Sequence, residues 1–350
     1  MLRKQYVKNQ QIIDNYYKQP ILISIIIPTH NVEKYILHCL RSIIEQSYSN
    51  FEIIIVDDFS TDGTLTIVSE MANVCNKIEV IQLLENKGSA FAREKGLEIC
   101  RGELITFVDG DDCYCDNTAL EKIIQTYICH PVDCIMWEYQ ARHKGNILRR
   151  HYYKGKTGYY NVQDVAFMKI KRPLPHWHYL WNKCYRHDVI KKNGIHFISK
   201  LRRAEDVRFN EDFMSVAQDY YIIPQMLYEY NCTNPNQVTK ENVNQTLKVV
   251  QQSLNRYKET LDNNLQLCSD LNILEKAQKY VYRDFYIKTI KLLLASRRFR
   301  WNKEFRKAIF SDSIYKRSAA MTHGKQWIII GLYLESVKNI LKRKIKKYLI

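Results

Sequence analysis

No stretch of the 350-residue sequence approaches the ~18 consecutive apolar residues that a membrane-spanning helix needs. The first residues do not read as an export signal either. Residues 1–19 are polar and basic, and the apolar run Ile21–Ile27 behind them is short, β-branched and without a small-residue cleavage site, so it reads as a first strand. The ten cysteines form no C-x-x-C pair, and Cys113 and Cys115, one residue apart, are too close for the usual zinc spacing. Scattered thiols of this kind point to a reducing cytoplasm and to no structural disulfide. Internal repeats and low-complexity tracts are lacking as well. Acidic charge is in short supply, but unevenly. Residues 296–350 carry 15 Lys/Arg against 3 Asp/Glu, which is +12 of the total +16. The preceding residues are therefore near neutral, which argues against a chain-wide nucleic-acid footprint and for an anionic surface met by one end.

What is present in the first 110 residues is an alternation of strand and helix signals. Ile21–Pro28 is a continuous apolar run, as expected of a strand buried on both faces; Phe51–Val56 reads as a second buried strand, and Ile78–Leu83 and Glu103–Val108 as a third and a fourth. Between them, Asn31–Tyr48, a segment opened by Thr61-Asp62-Gly63 and running to about Cys75, and Ser89–Cys100 read as helices. Repeated β-α-β units imply a parallel sheet covered by helices, whose ligands bind beyond the carboxyl ends of the strands. Three of those strands end in polar clusters: Pro28-Thr29-His30-Asn31, Asp57-Asp58 and Asp109-Gly110-Asp111-Asp112. They are expected along one edge. Farther on, Asn231–Asn236, with Pro235, reads as a linker or loop, and the remainder has long helical periodicity.

The acidic run is the first chemical signal. Carboxylates packed this closely repel, and a hard divalent cation bound through oxygen removes the repulsion. Mg²⁺ or Mn²⁺ held by one or two carboxylates characteristically completes its shell with phosphate oxygens. Taken alone, the run is equally a solvated turn, since Asp and Gly favour turns.

Its context decides. Ser24–Asn31 and Glu33, then Val56–Gly63, then Asn86–Gly96, then Phe107–Asp112 follow in order across about 90 residues. Together with Leu180–Arg186, Asn193–Phe197 and Glu205-Asp206, this series resembles family 2 glycosyltransferases, a group that includes many bacterial capsule, lipopolysaccharide and teichoic-acid enzymes. The resemblance implies a GT-A fold of the α/β class, a Rossmann-like mixed sheet flanked by helices, over residues 21–235. A polar lead (1–20) would precede it, and a C-terminal helical region (236–350) would follow.

It also implies site residues. Asp58 would bind the uracil or ribose of a UDP-sugar, beside Asp57, with Pro28, Thr29, Asn31 and Glu33 on the first nucleotide loop. Arg93, and Lys87 near it, would approach the diphosphate. Asp109, Gly110 and Asp111 form the D-x-D segment, with Asp111 or Asp112 touching an Mn²⁺ or Mg²⁺ ion. Asp206, beside Glu205, would be the catalytic base of an inverting transfer. Two departures stand out: Phe59 replaces the glycine usual after V-D-D, and His30 replaces a common tyrosine.

His176, Trp177, His178 and Trp181 lie between sheet and base. They are candidates for acceptor contacts or, equally, for a packed core. The Q-x-x-R-W signature of processive synthases is met only by Arg297–Trp301, which lacks the glutamine, so single-sugar transfer to a glycan or lipid-linked acceptor is implied. Residues 327–350 place Ile330, Leu334, Val337, Leu341, Ile345 and Tyr348 at helical spacing among six lysines and arginines from Lys338 to Lys347. Such a basic amphipathic segment suits an anionic membrane surface, so a peripheral position on the inner face of the membrane is expected. Two other classes remain at this level. A nucleotidyltransferase would want a Gly-rich basic loop where Pro28–Asn31 stands. A non-catalytic RNA- or membrane-binding protein would act through the tail and leave the acidic run dispensable.

Overall fold

The computed structural model describes residues 20–152, 157–171, 177–197 and 205–234, and short stretches or single positions between 255 and 282. His176, the Arg297–Trp301 segment and the basic tail 327–350 lie outside the described residues.

The four expected strands are present as β1 (Ile23–Thr29), β2 (Phe51–Asp57), β3 (Ile78–Gln82) and β4 (Leu104–Phe107). β2 pairs in parallel with β3 and with β1, and β1 pairs in parallel with β4, so their carboxyl ends do share one edge. β1, β2 and β4 are buried almost throughout, which is why they show no alternation in the sequence. Helices α1 (Ile36–Ile44), α2 (Thr64–Val74) and α3 (Ser89–Ile99) connect them. α1 begins five residues later than the periodicity suggests. Residues 31–33 are drawn out of the helix because they bond to the loop after β2 and to the first residue of α2: the Glu33 N–H donates to Asp62 Oδ2 (3.2 Å) and the Val32 N–H to Thr64 Oγ1 (2.8 Å).

α3 lies unusually close to β1, since a Cβ at Gly96 would stand 2.5 Å from the Ile26 side chain. Arg93 is one turn earlier on the same face and is carried inward with it.

Beyond β4 the sheet changes character. β5 (Cys113–Tyr114) and α4 (Ala119–Cys129) lead to β6 (Cys134–His143), β7 (Asn146–His151) and β8 (Gly158–Asn161). Then come α5 (Val162–Lys171), β9 (Lys183–Arg186), α6 (His187–Lys192), α7 (Glu205–Val216) and β10 (Asp219–Asn231). The order is β3-β2-β1-β4-β9-β6-β10-β5, with β7 on β6 and β8 on β10. β9 runs antiparallel to both β4 and β6, and β10 runs parallel to β6, so the sheet is mixed.

The chain divides into two compact units, residues 1–162 with 175–240, and residues 163–174 with 241–350. The first holds the whole sheet. In the second, the described positions are helical, and Leu261, Cys268, Ala277, Val281 and Tyr282 form a buried cluster with Phe167 packed against it. Among the described residues no helix is long and apolar enough to cross a membrane.

Candidate active site

Every described candidate residue belongs to the first unit. The loop after β1 is knitted to the loop after β2. Asn31 takes a left-handed conformation (φ 53°), which asparagine tolerates, and its side-chain oxygen accepts the Thr61 N–H at 2.8 Å. The Glu33 carboxylate accepts the Gly63 N–H at 2.8 Å. Asp57 is fully buried and accepts the Ser60 N–H and hydroxyl (3.0 and 2.5 Å) and the Thr29 hydroxyl (3.2 Å). Pro28, in register with Val56, continues β1 into this loop.

Asp58 is buried too. Its two oxygens accept the backbone N–H groups of Lys87 and Gly88, each at 2.7 Å, and so fix the turn that opens α3. Gly88 sits at φ 89°, where a side chain would be strained. The Lys87 ammonium pairs with Glu85 at 3.0 Å on the surface. Four of the expected nucleotide-loop residues (Asn31, Glu33, Asp57 and Asp58) are thus engaged in building the loops.

Phe59, where the resemblance leads one to expect glycine, adopts φ 59° while 45% exposed. A left-handed phenylalanine costs about 1–2 kcal/mol, partly offset in the glycine variant by a more flexible unfolded chain. Phe59→Gly is therefore expected to raise the unfolding free energy by about 0.5–1 kcal/mol in urea denaturation; a loss of stability would mean the ring is held by contacts that outweigh the strain.

The acidic run turns directly after β4. Gly110 is closely approached, since a Cβ there would lie 3.2 Å from Thr29 Cγ2 and 3.3 Å from Val32 Cγ2. Its three carboxylates face different partners. Asp109 Oδ1 pairs with Arg93 Nη2 at 2.8 Å. Asp111, half-buried, accepts the Asn234 side-chain amide at 2.8 Å. Asp112 is 2% exposed, and both its oxygens are taken: the Tyr228 hydroxyl donates at 2.9 Å and the Asn231 N–H at 2.7 Å. The same Tyr228 oxygen accepts the Asp109 N–H at 3.1 Å. Burial, then repulsion from Asp111 and Asp109, pushes the Asp112 carboxyl well above the usual range.

Arg93 spans the site. It is buried, with Nη2 on Asp109 and Nη1 on Glu205 Oε1 at 3.1 Å. Ser89 donates to the same Glu205 oxygen at 2.7 Å. Glu205 and Asp206 open the described part of α7, so Arg93 ties that helix end to the acidic run. Asp206 is pushed up to about 6, first by burial and then by the Glu205 charge, with the Val207 N–H and Arg93 opposing.

The acceptor candidates divide. Trp177 and Trp181 are 2% and 5% exposed. Trp181 stacks on Tyr228 with centroids 4.7 Å apart and on Tyr179 at 4.5 Å, so it is a packed side chain. His178 is half-buried, and its carbonyl accepts the Asn210 amide at 2.8 Å. Among the described residues no group of three or more His, Cys, Asp or Glu is poised to hold a metal by itself.

Tyr228, Asn231 and Asn234 were not foreseen. They lie 116 to 123 residues beyond the carboxylates they bind, at and just before a segment whose sequence reads only as a linker or loop.

Comparison with known proteins converges on one group. A model described as "Glycosyl transferase family 2" matches residues 24–194. The "Uncharacterized glycosyltransferase EpsJ" of Bacillus subtilis is 30% identical over 225 residues, 63% of this chain and 63% of the relative, so the chain spans less than two thirds of its length. The "Glycosyltransferase GlyG" of Streptococcus pneumoniae is 30% identical over 215 residues, 60% of this chain and 70% of the relative. The poly(ribitol-phosphate) β-N-acetylglucosaminyltransferase TarS of Staphylococcus aureus is 31% identical over 209 residues, 57% of this chain and 35% of the relative. The crystal structure of its residues 1–349 with UDP-GlcNAc superposes with a TM-score of 0.62 at 22% identity, covering 92% of each chain, which establishes a shared fold.

Proposed function

The chain belongs to glycosyl transferase family 2, with a GT-A fold, and from that premise we propose that it moves one sugar from a UDP-sugar to a hydroxyl of a glycan or lipid-linked acceptor, with inversion. Cell-surface polymer assembly is the setting, because a relative 31% identical acts on poly(ribitol-phosphate). Residues 21–235 are taken as the catalytic domain. An anionic membrane surface is assigned to residues 327–350 on their basic amphipathic sequence.

The observation that carries the reading is Asp206. It is a half-buried carboxyl at the start of the described part of α7, next to Glu205, which Arg93 ties to Asp109 of the acidic run, and it is pushed up to about 6. A base that must be ionised at neutral pH, yet hold a proton well, is most effective with its pKa near the working pH. Asp206 would accept the proton of the acceptor hydroxyl as that oxygen attacks the anomeric carbon. Arg93 would lie near the departing diphosphate, with its charge fixed by Asp109 and Glu205 so that it needs no reorganisation during the reaction.

Asp111, with the second oxygen of Asp109, would hold an Mn²⁺ or Mg²⁺ ion, which supplies charge neutralisation for the leaving diphosphate. Asp112 has both oxygens committed to Tyr228 and Asn231, so it supports the loop. Asp57, Asp58, Asn31 and Glu33 hold the nucleotide loops in shape.

The pH profile tests this. With Asp206 as base, kcat/KM should fall tenfold per pH unit below about 6 and level off above it, as the carboxylate form becomes fully populated. A profile flat from pH 5 to 8 would remove Asp206 from the mechanism.

A further inference from the structure

A second surface lies beside the base, on the part of the sheet that the nucleotide loops do not use. β4 and β6 both run antiparallel to β9, so the carboxyl end of β6 reaches the same edge as the acidic run. There the chain turns at Lys144-Gly145 (φ 47° and 81°) and returns as β7, which pairs with β6 alone among the described strands. Register places His151 opposite Tyr139 and Arg149 opposite Ala141. Side chains two apart on a strand share a face, so Tyr139, Ala141, Arg149 and His151 lie together.

That face continues an aromatic ladder. His151 stacks on Tyr139 with centroids 4.2 Å apart, and Tyr139 meets the edges of Trp181 (4.6 Å) and Tyr179 (5.7 Å). Trp181 is stacked with Tyr179, Tyr228 and, at 5.8 Å, Tyr230. At one end Tyr228 binds Asp112, and Tyr179 lies within reach of the Asp206 charge. At the other end stands the hairpin. Tyr139 and Trp181 are covered, whereas Tyr179, Tyr230 and His151 are half-open and Arg149 is exposed. The Arg149 charge reaches both Tyr139 and His151, and among the described residues no carboxylate pairs with it.

Aromatic faces flanked by polar tips suit sugar and polyol rings or chains, and a guanidinium selects phosphate or carboxylate. We propose that this wall is the acceptor site and that its acceptor is an anionic polyhydroxy chain. Its sugar or polyol units lie against Tyr179, Tyr230 and His151, and its phosphodiester or carboxylate is taken by Arg149. The proposal rests on the glycosyl-transfer reading above and adds the acceptor's chemical class.

Calorimetric binding to the full chain tests it, with UDP and Mn²⁺ present and three probes: a glycerol-phosphate oligomer, an oligogalacturonate and neutral maltohexaose. At least one anionic oligomer should bind more tightly than maltohexaose, and which one does identifies the anionic group. Arg149→Ala should weaken that binding about tenfold or more, as loss of a charge-assisted contact does. Arg149→Lys should retain part of it. Arg150→Ala, on the opposite face of the same strand, should leave it unchanged. Equal binding of neutral and anionic probes, or anionic binding indifferent to Arg149→Ala, overturns the proposal. UDP binding measured alone keeps the two readings apart. If UDP binds while no oligomer does, the acceptor proposal alone fails. If UDP does not bind, the donor reading fails and takes the acceptor proposal with it.

Discussion

Asp206→Asn should lower kcat by roughly 10²–10⁴-fold, the usual contribution of a positioned general base, with little change in affinity for the sugar nucleotide. The substitution keeps the volume and leaves an oxygen that can still accept the Val207 N–H, which Asp206 now accepts at 2.8 Å. It removes only the capacity to hold the proton. Stability should move the other way from activity. Asp206 has a folded-state value pushed up to about 6, above that of an unfolded aspartate, so the ionised side chain weakens the fold, fully so above about pH 6. The amide cannot ionise and escapes that cost. At pH 7.5 the variant should therefore melt no lower than the parent while turning over far more slowly, measured by differential scanning calorimetry beside steady-state kinetics. A variant that loses both stability and activity would mark Asp206 as a structural residue at the start of α7. Glu205→Gln makes a useful contrast: Glu205 touches Arg93 and Ser89, so it positions its neighbours, and its removal should weaken the anchoring of Arg93.

The second large effect separates two adjacent carboxylates. Asp111→Asn should reduce kcat/KM by about 10²–10³-fold and shift the Mn²⁺ concentration needed for half-maximal rate upward, because the charged ligand proposed for the ion is lost. Its stability cost should be small, since the half-buried side chain can keep its contact with Asn234. Asp112→Ala should do the reverse in character. It strands the buried Tyr228 hydroxyl and the Asn231 N–H without their acceptor, and each such orphan costs about 1–3 kcal/mol. Unfolding at lower urea, with any remaining folded protein showing an unchanged Mn²⁺ requirement, is the expected outcome. If Asp112→Ala instead raises the Mn²⁺ requirement and Asp111→Asn does not, the two roles are exchanged.

Much of the parallel half of the sheet was legible because β1, β2 and β4 are buried on both faces and therefore write themselves as largely apolar runs; β3, half-open at the sheet edge, is marked only by interspersed apolar residues. The polar clusters that close β1, β2 and β4 were readable for the same reason: nothing but a ligand edge or a turn explains Asp57-Asp58 or Asp109–Asp112 directly after such strands. The boundaries were less so. Asn31–Glu33 continues a helical stripe by periodicity, yet bonds to the 57–64 loop pull it out of α1, and such tertiary competition leaves no local trace.

The other half was harder. β6, β9 and β10 join the sheet from distant positions in mixed directions. The support of Asp112 by Tyr228 spans 116 residues, with only an ordinary aromatic strand to announce it. Trp177 and Trp181 show the limit from the opposite side. A tryptophan near a predicted sugar site invites a stacking role, but here both rings are buried. The half-open faces belong to Tyr179, Tyr230 and His151, which nothing local singled out.

The central claim is that the chain breaks the bond between a sugar and a nucleoside diphosphate. It is tested most directly by incubating the purified protein with a panel of UDP-sugars, with and without Mn²⁺, and following nucleoside diphosphate. The account predicts UDP release from at least one UDP-sugar, dependent on Mn²⁺ or Mg²⁺, accelerated by a hydroxyl-bearing acceptor and abolished by chelation. No UDP from any sugar nucleotide, together with pyrophosphate formation from UTP and a sugar phosphate, would contradict it and point to nucleotidyl transfer instead.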